Sequence, residues 1–249
     1  MTPCVWITGA SSGIGAALAQ ALARQGRQVV ISARRVEALL AVAVDFPGIV
    51  PVPLDVTDRS AVQQAVRTIE RDIAPIGLAV LNAGTYWQTP AKLFDAASVM
   101  SLLEVNVGGT VACLEALLPG FLARRQGHLA VVASVAGYRG LPNAAGYSAS
   151  KAALIAMTES IRLDLPGPAF KIQVINPGFV ATPLTAKNDF PMPDIISTER
   201  AAALIMAGLA SSRFSIDFPW RFALAMRLLR IMPDRIYFPL MRKITQSGV

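Results

Sequence analysis

Short apolar segments alternate with longer amphipathic stretches along most of this chain. The short segments are rich in Val and Ile and have few polar interruptions, which is typical of parallel strands buried on both faces of a sheet. They lie at Val5–Thr8, Gln28–Ser32, Ile49–Leu54, Leu78–Leu81, His128–Ala133 and Lys171–Ile175. The stretches between them predict helices at Ile14–Gln25, Val36–Val44, Ser60–Asp72, Val99–Arg125 and Tyr147–Leu165.

This alternation predicts an α/β fold, a doubly wound parallel sheet with helices on both faces. A helix near Glu199–Ala210 and a short strand near Phe214–Phe218 would complete a sheet of about seven strands. Right-handed crossovers place the loops that follow the strands along one edge, where such sheets bind their ligands. No repeat or linker divides the chain, so we predict one domain over residues 1–218 and a helical extension over 219–249.

The charge distribution bears on the class of partner. The 249 residues are 53% apolar and 16% charged, which excludes a disordered chain. A net charge of +7 could indicate nucleic acid, an acidic surface or an anionic ligand. Residues 213–249 hold seven Lys and Arg against two Asp, so the remainder is nearly neutral. Since no zinc, helix-turn-helix or aromatic RNA-binding motif is present, we predict no nucleic-acid partner.

The cysteines, the histidine and the N-terminus further narrow the class of protein. Cys4 and Cys113 are too few for a disulfide scaffold, and with His128 as the one histidine we predict no metal site. We expect these three side chains to be structural. No signal peptide is visible, and no run of about 18 uncharged apolar residues predicts a spanning helix. We therefore expect a cytoplasmic globular protein, with membrane-surface contact as an alternative for its basic C-terminal part.

The first strand leads into the glycine-rich sequence Thr-Gly-Ala-Ser-Ser-Gly-Ile-Gly, after which a helix begins. Such a turn lets backbone N–H groups and the positive end of the helix dipole face a phosphate. A tight strand–helix turn without a ligand is the alternative. The candidate cofactor-binding residues are Gly9, Ser11, Ser12, Gly13, Ile14 and Gly15.

The end of the second strand bears on which dinucleotide would bind. An acidic residue about 20 positions beyond the glycines binds the ribose 2′-hydroxyl in such folds, whereas Arg accommodates a 2′-phosphate. Arg34 and Arg35 stand there, and no acidic residue does. We therefore predict NADP(H) as cofactor, with a solvated arginine pair as the alternative.

Tyr147 and Lys151 form the candidate catalytic pair, because residues at i and i+4 share one helix face. A nearby ammonium favours the phenolate and would let the phenol exchange protons closer to neutral pH. Ser134 ends the fifth strand, at the ligand-binding edge, where its hydroxyl could bond to a substrate carbonyl.

Taken together, these motifs resemble the short-chain dehydrogenase/reductase family over about residues 5–185. Further matches, all in the family's order, extend the resemblance. Asp55 and Val56 match its adenine-flanking pair, and Asn106 matches an asparagine that helps hold a proton relay. The remaining matches are Asn82, Ala83 and Gly84 after the fourth strand, and Pro177, Gly178, Val180 and Thr182 beside the nicotinamide.

The resemblance implies a Rossmann-type fold and a reaction. NADPH would give hydride to a carbonyl carbon while Tyr147 supplies the proton to the oxygen. Lys151 would lower the Tyr147 pKa and hold the nicotinamide ribose, Ser134 would polarise the carbonyl, and Asn106 would support the relay. The family also implies a homodimer or homotetramer built on the two long helices. A catalytically silent NADP(H) sensor or scaffold, and an enzyme acting mainly as an alcohol dehydrogenase, are the alternatives.

The C-terminal third holds the least patterned segments. Pro183–Ser197 is apolar and punctuated by proline, which suggests a lid over an apolar small-molecule substrate. Tyr86 and Trp87 would line the pocket or only pack in their loop. Trp220–Met232 and the stretch from Asp234 to Lys243 are basic and amphipathic. They would pack within the protein or oligomer, cap the pocket, or lie on an anionic membrane.

Overall fold

One parallel sheet organises the computed structural model, which describes residues 2–246. The strands are β1 (Cys4–Thr8), β2 (Val29–Ser32), β3 (Ile49–Pro51), β4 (Ile76–Leu81), β5 (Gly127–Val132), β6 (Phe170–Pro177) and β7 (Ser215–Phe218). Their order across the sheet is β3-β2-β1-β4-β5-β6-β7, and every pairing is parallel. The predicted doubly wound sheet of seven strands is confirmed.

Helices cover both faces of this sheet. They are α1 (Gly13–Arg24), α2 (Val36–Ala43), α3 (Arg59–Thr68), α4 (Ala96–Leu103), α5 (Gly109–Ala123), α6 (Ala145–Asp164), α7 (Thr198–Ala210), α8 (Trp220–Ile231) and α9 (Asp234–Gln246). A π-helical turn, Ile69–Ile73, extends α3, and a second, Glu104–Gly108, joins α4 to α5. The single helix predicted over Val99–Arg125 is therefore two helices with a π turn between them.

The third strand is shorter than the segment Ile49–Leu54 that predicts it. Two prolines, Pro51 and Pro53, lack the N–H group that a regular ladder needs. The backbone N–H groups of Val52 and Leu54 still donate to carbonyls at the end of β2, at 2.8 and 3.0 Å. Pairing thus continues to Leu54 in irregular form.

Alternate residues of each strand supply two separate cores. Cys4 and Trp6 of β1 face the layer of α3, α5 and α6, whereas Val5 and Ile7 face α1, α2 and α7. Both cysteines are buried, and burial raises the pKa of Cys4 to about 11 and that of Cys113 to about 12. The thiols are therefore protonated at neutral pH, as expected for structural cysteines.

The continuous helical segment Ala96–Ala123 is long and apolar enough to cross a membrane, judged by length and composition alone. The sequence analysis did not anticipate such a segment. In this fold, 44% of its most apolar window is buried inside the protein, where residues such as Leu102, Leu117 and Phe121 enter the core. The same property is found in the core helices of other globular proteins.

The C-terminal extension packs on the loop that follows β5. Ala223 and Met226 of α8 bury themselves against Val135. Arg139 donates to the carbonyl oxygens of Leu229 and Met232, which end α8, and its guanidinium lies 3.8 Å from the ring centroid of Tyr237. Packing within the protein thus accounts for one face of the extension.

His128 is held in the sheet by a neighbouring strand. Its Nε2 lies 2.7 Å from Oε1 of Gln173 on β6, and the Gln173 amide donates to the carbonyl oxygens of Gly208 and Arg213. Burial lowers the pKa of His128 from 6.5 to about 4. The ring is therefore neutral at pH 7 and serves as a hydrogen-bonding partner in the structure.

We expect His128→Gln to reduce the acid sensitivity of folding. Between pH 6.5 and about pH 4 the unfolded chain binds the His128 proton more strongly than the folded chain, so stability falls as pH falls. The free energy of unfolding of the wild type should lose about 2 kcal/mol more than the variant between pH 7 and pH 5. Urea unfolding of both proteins at the two pH values measures this, and equal losses would contradict the assignment.

Candidate active site

The candidate site lies at the carboxyl ends of β1, β4, β5 and β6. The sheet order reverses between β1 and β4, which is where doubly wound sheets form their ligand crevice. A cavity of about 120 Å³ opens there. Predicted site residues that line it are Ile14, Asn82, Gly84, Ser134, Tyr147, Lys151, Pro177, Gly178, Val180 and Thr182.

The glycine-rich loop has the backbone that a phosphate site needs. Gly9 and Gly13 have φ values of +66° and +59°, a region that favours glycine. A Cβ on Gly15 would lie 2.6 Å from Nδ2 of Asn82, so the loop closes tightly on the next strand. Ser12 is the N-cap of α1, and no side chain within residues 2–246 caps that helix start. Its N–H groups therefore remain available to an anion.

Asn82 fastens this loop to β4. Its Nδ2 donates to the carbonyl oxygens of Thr8 and Gly9 at 3.0 and 3.1 Å. The Thr8 hydroxyl accepts in return from the N–H groups of Asn82 and Ala83, at 3.0 and 3.1 Å. The Asn82 side chain therefore holds the loop in this conformation. Asn82 also lines the cavity.

Lys151 is buried beside Tyr147 on the first turns of α6. Its Nζ donates to the Val132 carbonyl oxygen at 3.0 Å and lies 5.7 Å from the Tyr147 ring centroid. A Cβ on Gly84 would come within 3.6 Å of that Nζ, so glycine keeps the space in front of the ammonium open. The predicted pair is thus brought together at the cavity.

Asn106 lies in the π turn between α4 and α5, fully buried behind the cavity. Its Oδ1 accepts from the Thr85 N–H at 2.7 Å, and its Nδ2 donates to Thr85 O and to Ser150 Oγ at 3.1 and 3.0 Å. Its side chain therefore positions the loop after β4 against α6. The role of Asn106 in a proton relay stays a prediction.

Ser134 follows β5 by two residues and caps a short 3₁₀ turn, Val135–Gly137. Its Oγ donates to the Pro177 carbonyl oxygen at 3.2 Å and accepts from the Ala136 N–H at 3.1 Å. A hydroxyl has one proton to donate. Polarising a substrate carbonyl would therefore require Ser134 to turn that proton away from Pro177.

Burial dominates the pKa values of the candidate catalytic pair, Tyr147 and Lys151. It raises the pKa of Tyr147 to about 12, and the adjacent Ser134 side chain lowers that pKa without overcoming the burial. It lowers the pKa of Lys151 to about 8. The Tyr147 pKa is therefore raised and not lowered as expected, because loss of solvent disfavours the charged forms of both residues.

The other predicted contacts lie farther along the same edge. Arg34 and Arg35 are exposed between β2 and α2, and neither forms an ion pair with the part of the chain described. Oδ1 of Asp55 accepts from the N–H and hydroxyl of Thr57, at 3.0 and 2.8 Å. Val56 packs on Gly109, where a Cβ would lie 2.5 Å from its Cγ2. Asp55 and Val56 thus shape their loop.

Aromatic side chains form a wall beside Gly178, a residue that lines the cavity. Phe179 lies 5.1 Å from Phe222 of α8 and 6.1 Å from Phe190, between ring centroids. Tyr86 meets Tyr147 edge to face at 4.9 Å and so packs directly on a residue that lines the cavity.

The mouth of the site is bridged by one hydrogen bond. Gln88 Nε2 donates to Asp189 Oδ1 at 2.9 Å, which joins the loop after β4 to the predicted lid. The predicted lid over Pro183–Ser197 therefore already contacts the opposite side of the cleft.

Sequence reasoning missed several residues of the cavity and its wall. Thr85 follows the Asn-Ala-Gly segment directly, and Leu184 and Thr185 follow Thr182, so adjacency to the motifs could have indicated them. Phe222 carries no such signal because it comes from the C-terminal extension. A Cβ on Gly178 would lie 2.7 Å from its ring, so only the folded structure shows the contact.

These features fit a nicotinamide dinucleotide. The uncapped start of α1 suits the pyrophosphate, and Lys151 and the segment from Pro177 to Thr182 suit the nicotinamide riboside. The methyl group of Thr182 would lie 3.1 Å from a Cβ on Gly13, so the nicotinamide end adjoins the phosphate loop. The two exposed arginines stand at the adenosine end.

Comparisons with known proteins agree with this geometry. Residues 3–191 match the family model for short chain dehydrogenase. The chain is 38% identical over 242 residues to an uncharacterized oxidoreductase of Myxococcus xanthus, covering 96% of both.

Two solved structures share the fold. A short chain dehydrogenase from Burkholderia cenocepacia in complex with NADP has a TM-score of 0.78 at 28% identity, covering 90% of this chain and 91% of that one. A short chain dehydrogenase/reductase from Burkholderia phymatum in complex with NAD has a TM-score of 0.83 at 23% identity, covering 91% and 92%. Fold, site and sequence agree that this chain belongs to the short-chain dehydrogenase/reductase family of oxidoreductases.

Proposed function

We propose that this protein is an NADP(H)-dependent oxidoreductase that interconverts a carbonyl and a secondary alcohol on an apolar small molecule. The observation that carries the proposal is the convergence of Ser134, Tyr147 and Lys151 on one cavity beside the open start of α1. A structural role alone would not require a phenol, an ammonium and a hydroxyl at this edge. Oxidation of NADPH across a panel of apolar ketones and aldehydes tests the proposal, and binding without turnover would favour a sensor.

The bound nicotinamide supplies the hydride to the carbonyl carbon. Tyr147 donates its phenolic proton to the carbonyl oxygen, so the C=O double bond becomes a C–O single bond while one C–H and one O–H bond form. Ser134 orients the carbonyl oxygen toward that phenol. The raised Tyr147 pKa keeps the proton on the phenol at neutral pH, so the residue is in the protonated form that carbonyl reduction requires.

Arg34 supports the preference for NADP(H) over NAD(H). Its guanidinium is free to form a forked contact with the 2′-phosphate, and the end of β2 holds no carboxylate to repel that phosphate. Similar proteins bind either cofactor, as the complexes with NADP and NAD show for their own chains. The preference is thus proposed from this chain's own residues.

We expect Arg34→Asp to weaken use of NADPH selectively. The catalytic efficiency kcat/KM for NADPH should fall about tenfold or more, because a charge-assisted contact is replaced by repulsion. The kcat/KM for NADH should change little, because the 2′-hydroxyl of NADH does not need the arginine. Arg200→Asp, at an exposed site on α7, is the matched control and should leave the NADPH to NADH ratio unchanged. Equal losses with both cofactors would contradict the role of Arg34.

The aromatic wall supports an apolar substrate. Phe179, Phe190 and Phe222 lie together beyond the nicotinamide segment, and the bridge from Gln88 to Asp189 adds a polar contact at the rim. We infer that the substrate places its carbonyl at Ser134 and its apolar body against these rings.

We also propose the assembly and setting of the protein. Residues 1–218 would be the catalytic unit, 219–249 its extension, and the cytoplasm its location. Exposed apolar side chains on the long helices, such as Val111, Leu122 and Leu163, support a homodimer or homotetramer.

A further inference from the structure

The outward face of α8 carries a stripe of large apolar side chains in solvent. Trp220, Leu224, Leu228 and Ile231 are 68%, 49%, 54% and 77% exposed. On a helix these positions fall within an arc of about 80°. Ala223 and Met226, which are 3% exposed, face the protein on the opposite side. The helix is therefore apolar on two sides, and packing within the protein covers only one.

Arginines border this stripe on both sides. Arg221 is exposed at one margin, with its guanidinium 5.4 Å from the Trp220 ring centroid, whereas Arg227 at the other margin pairs with Asp217 of β7. Residues 219–249 contain six Lys and Arg against one Asp. That residue, Asp234, pairs with Arg139 of the catalytic unit. The exposed basic charge of the extension therefore comes from residues such as Arg221, Arg235 and Arg242.

We propose that the outward face of α8 docks on an anionic lipid bilayer. Apolar side chains would enter the boundary between headgroups and acyl chains while Arg221 meets lipid phosphates, the arrangement of an interfacial amphipathic helix. Trp220 and Arg221 are side chains suited to that depth.

A second copy of the chain fits this face less well. A two-fold contact would bring the arginines of one stripe against those of the other, which repel. A helix of 12 residues is about 18 Å long, so one stripe offers far less than the roughly 800 Å² per partner of a stable interface. A bilayer has no such minimum and supplies the opposite charge.

The following helix extends the same kind of surface. Ile236 and Phe238 of α9 are 52% and 53% exposed, and Arg235 and Arg242 are exposed as well. The inner face of α8 meanwhile touches the site, because Phe222 packs against Gly178 and Phe179. Docking would therefore bring the aromatic wall of the site close to the membrane, where apolar substrates accumulate.

Sedimentation with lipid vesicles tests the proposal on the full-length protein. The wild type should bind vesicles of equal parts phosphatidylglycerol and phosphatidylcholine, bind pure phosphatidylcholine far less, and dissociate as salt is raised. Ile231→Glu should weaken binding about tenfold or more, since a carboxylate would enter the interface. Arg221→Gln should weaken binding to the anionic vesicles alone.

Val44→Glu is the matched control, because Val44 is also 77% exposed but lies at the end of α2. It should bind as the wild type does, and thermal unfolding should show all variants folded. Absence of wild-type binding to anionic vesicles, or equal binding by Ile231→Glu, would overturn the proposal. So would a drop in oligomeric state of Ile231→Glu without vesicles, which would assign the stripe to a second copy. None of these outcomes depends on the cofactor or the reaction.

Discussion

Replacing Tyr147 with Phe should lower kcat for carbonyl reduction by about a thousandfold while NADPH binds almost as before. The substitution removes one oxygen and keeps the ring that meets Tyr86 at 4.9 Å. The other proton-bearing groups at the cavity are engaged elsewhere, since the Ser134 hydroxyl donates to the Pro177 carbonyl oxygen at 3.2 Å and the Lys151 ammonium to that of Val132 at 3.0 Å. Stopped-flow fluorescence for NADPH binding and steady-state turnover measure the two effects separately.

Tyr86→Phe provides the matched control for this prediction. It removes the same atom from the partner ring, whose phenol also has a pKa raised by burial. Its turnover should remain within about threefold of the wild type if Tyr147 alone donates the proton. Wild-type turnover in Tyr147→Phe, or an equal loss in both variants, would contradict the assignment.

Gly15→Ala should weaken NADPH binding by about tenfold to a hundredfold and lower thermal stability. The added methyl group would lie 2.6 Å from Asn82 Nδ2 and 2.8 Å from the Gly9 carbonyl oxygen. Neither atom is free to move, because Asn82 Nδ2 already donates to that carbonyl and to Thr8. The start of α1 must therefore shift away from β4, and the N–H groups that would face the pyrophosphate lose their alignment. Titration of intrinsic fluorescence with NADPH measures the loss.

Gly140→Ala serves as the control for this glycine. A Cβ at position 140 would meet nothing within 4 Å, so cofactor affinity and stability should be close to those of the wild type. If Gly15→Ala bound NADPH with unchanged affinity, the loop would not be the phosphate site.

The order of motifs along the chain was sufficient to predict the sheet and most of the site. Strands buried on both faces appear in the sequence as Val- and Ile-rich segments, and all seven predicted strands overlap the observed ones by three residues or more. The helical spacing from Tyr147 to Lys151 directly fixed their common face on α6. The ends of the helices and strands were less predictable. The π turn at Glu104–Gly108 and the irregular pairing after Pro51 depend on contacts with other elements.

Other features required the three-dimensional structure. The hydrogen bond from Ser134 to Pro177 joins two strands that are 43 residues apart. The Tyr147 pKa depends on how much solvent the surrounding residues exclude, which no spacing reveals, and its direction proved opposite to the expectation. The contact of Phe222 with Gly178 likewise exists only because α8 folds back over the end of β6.

By itself, the sequence determined the strand–helix alternation, the glycine loop, the Tyr-Lys pair and the basic charge of the C-terminal extension, because these depend on residue type and local spacing. Only the tertiary structure decided which side of α8 is covered. Both sides of the helix are apolar in the sequence. Ala223 is buried because its side packs on the loop after β5, and Ile231 is exposed because it lies on the other side. Burial is a relation between distant segments, so local pattern leaves it open.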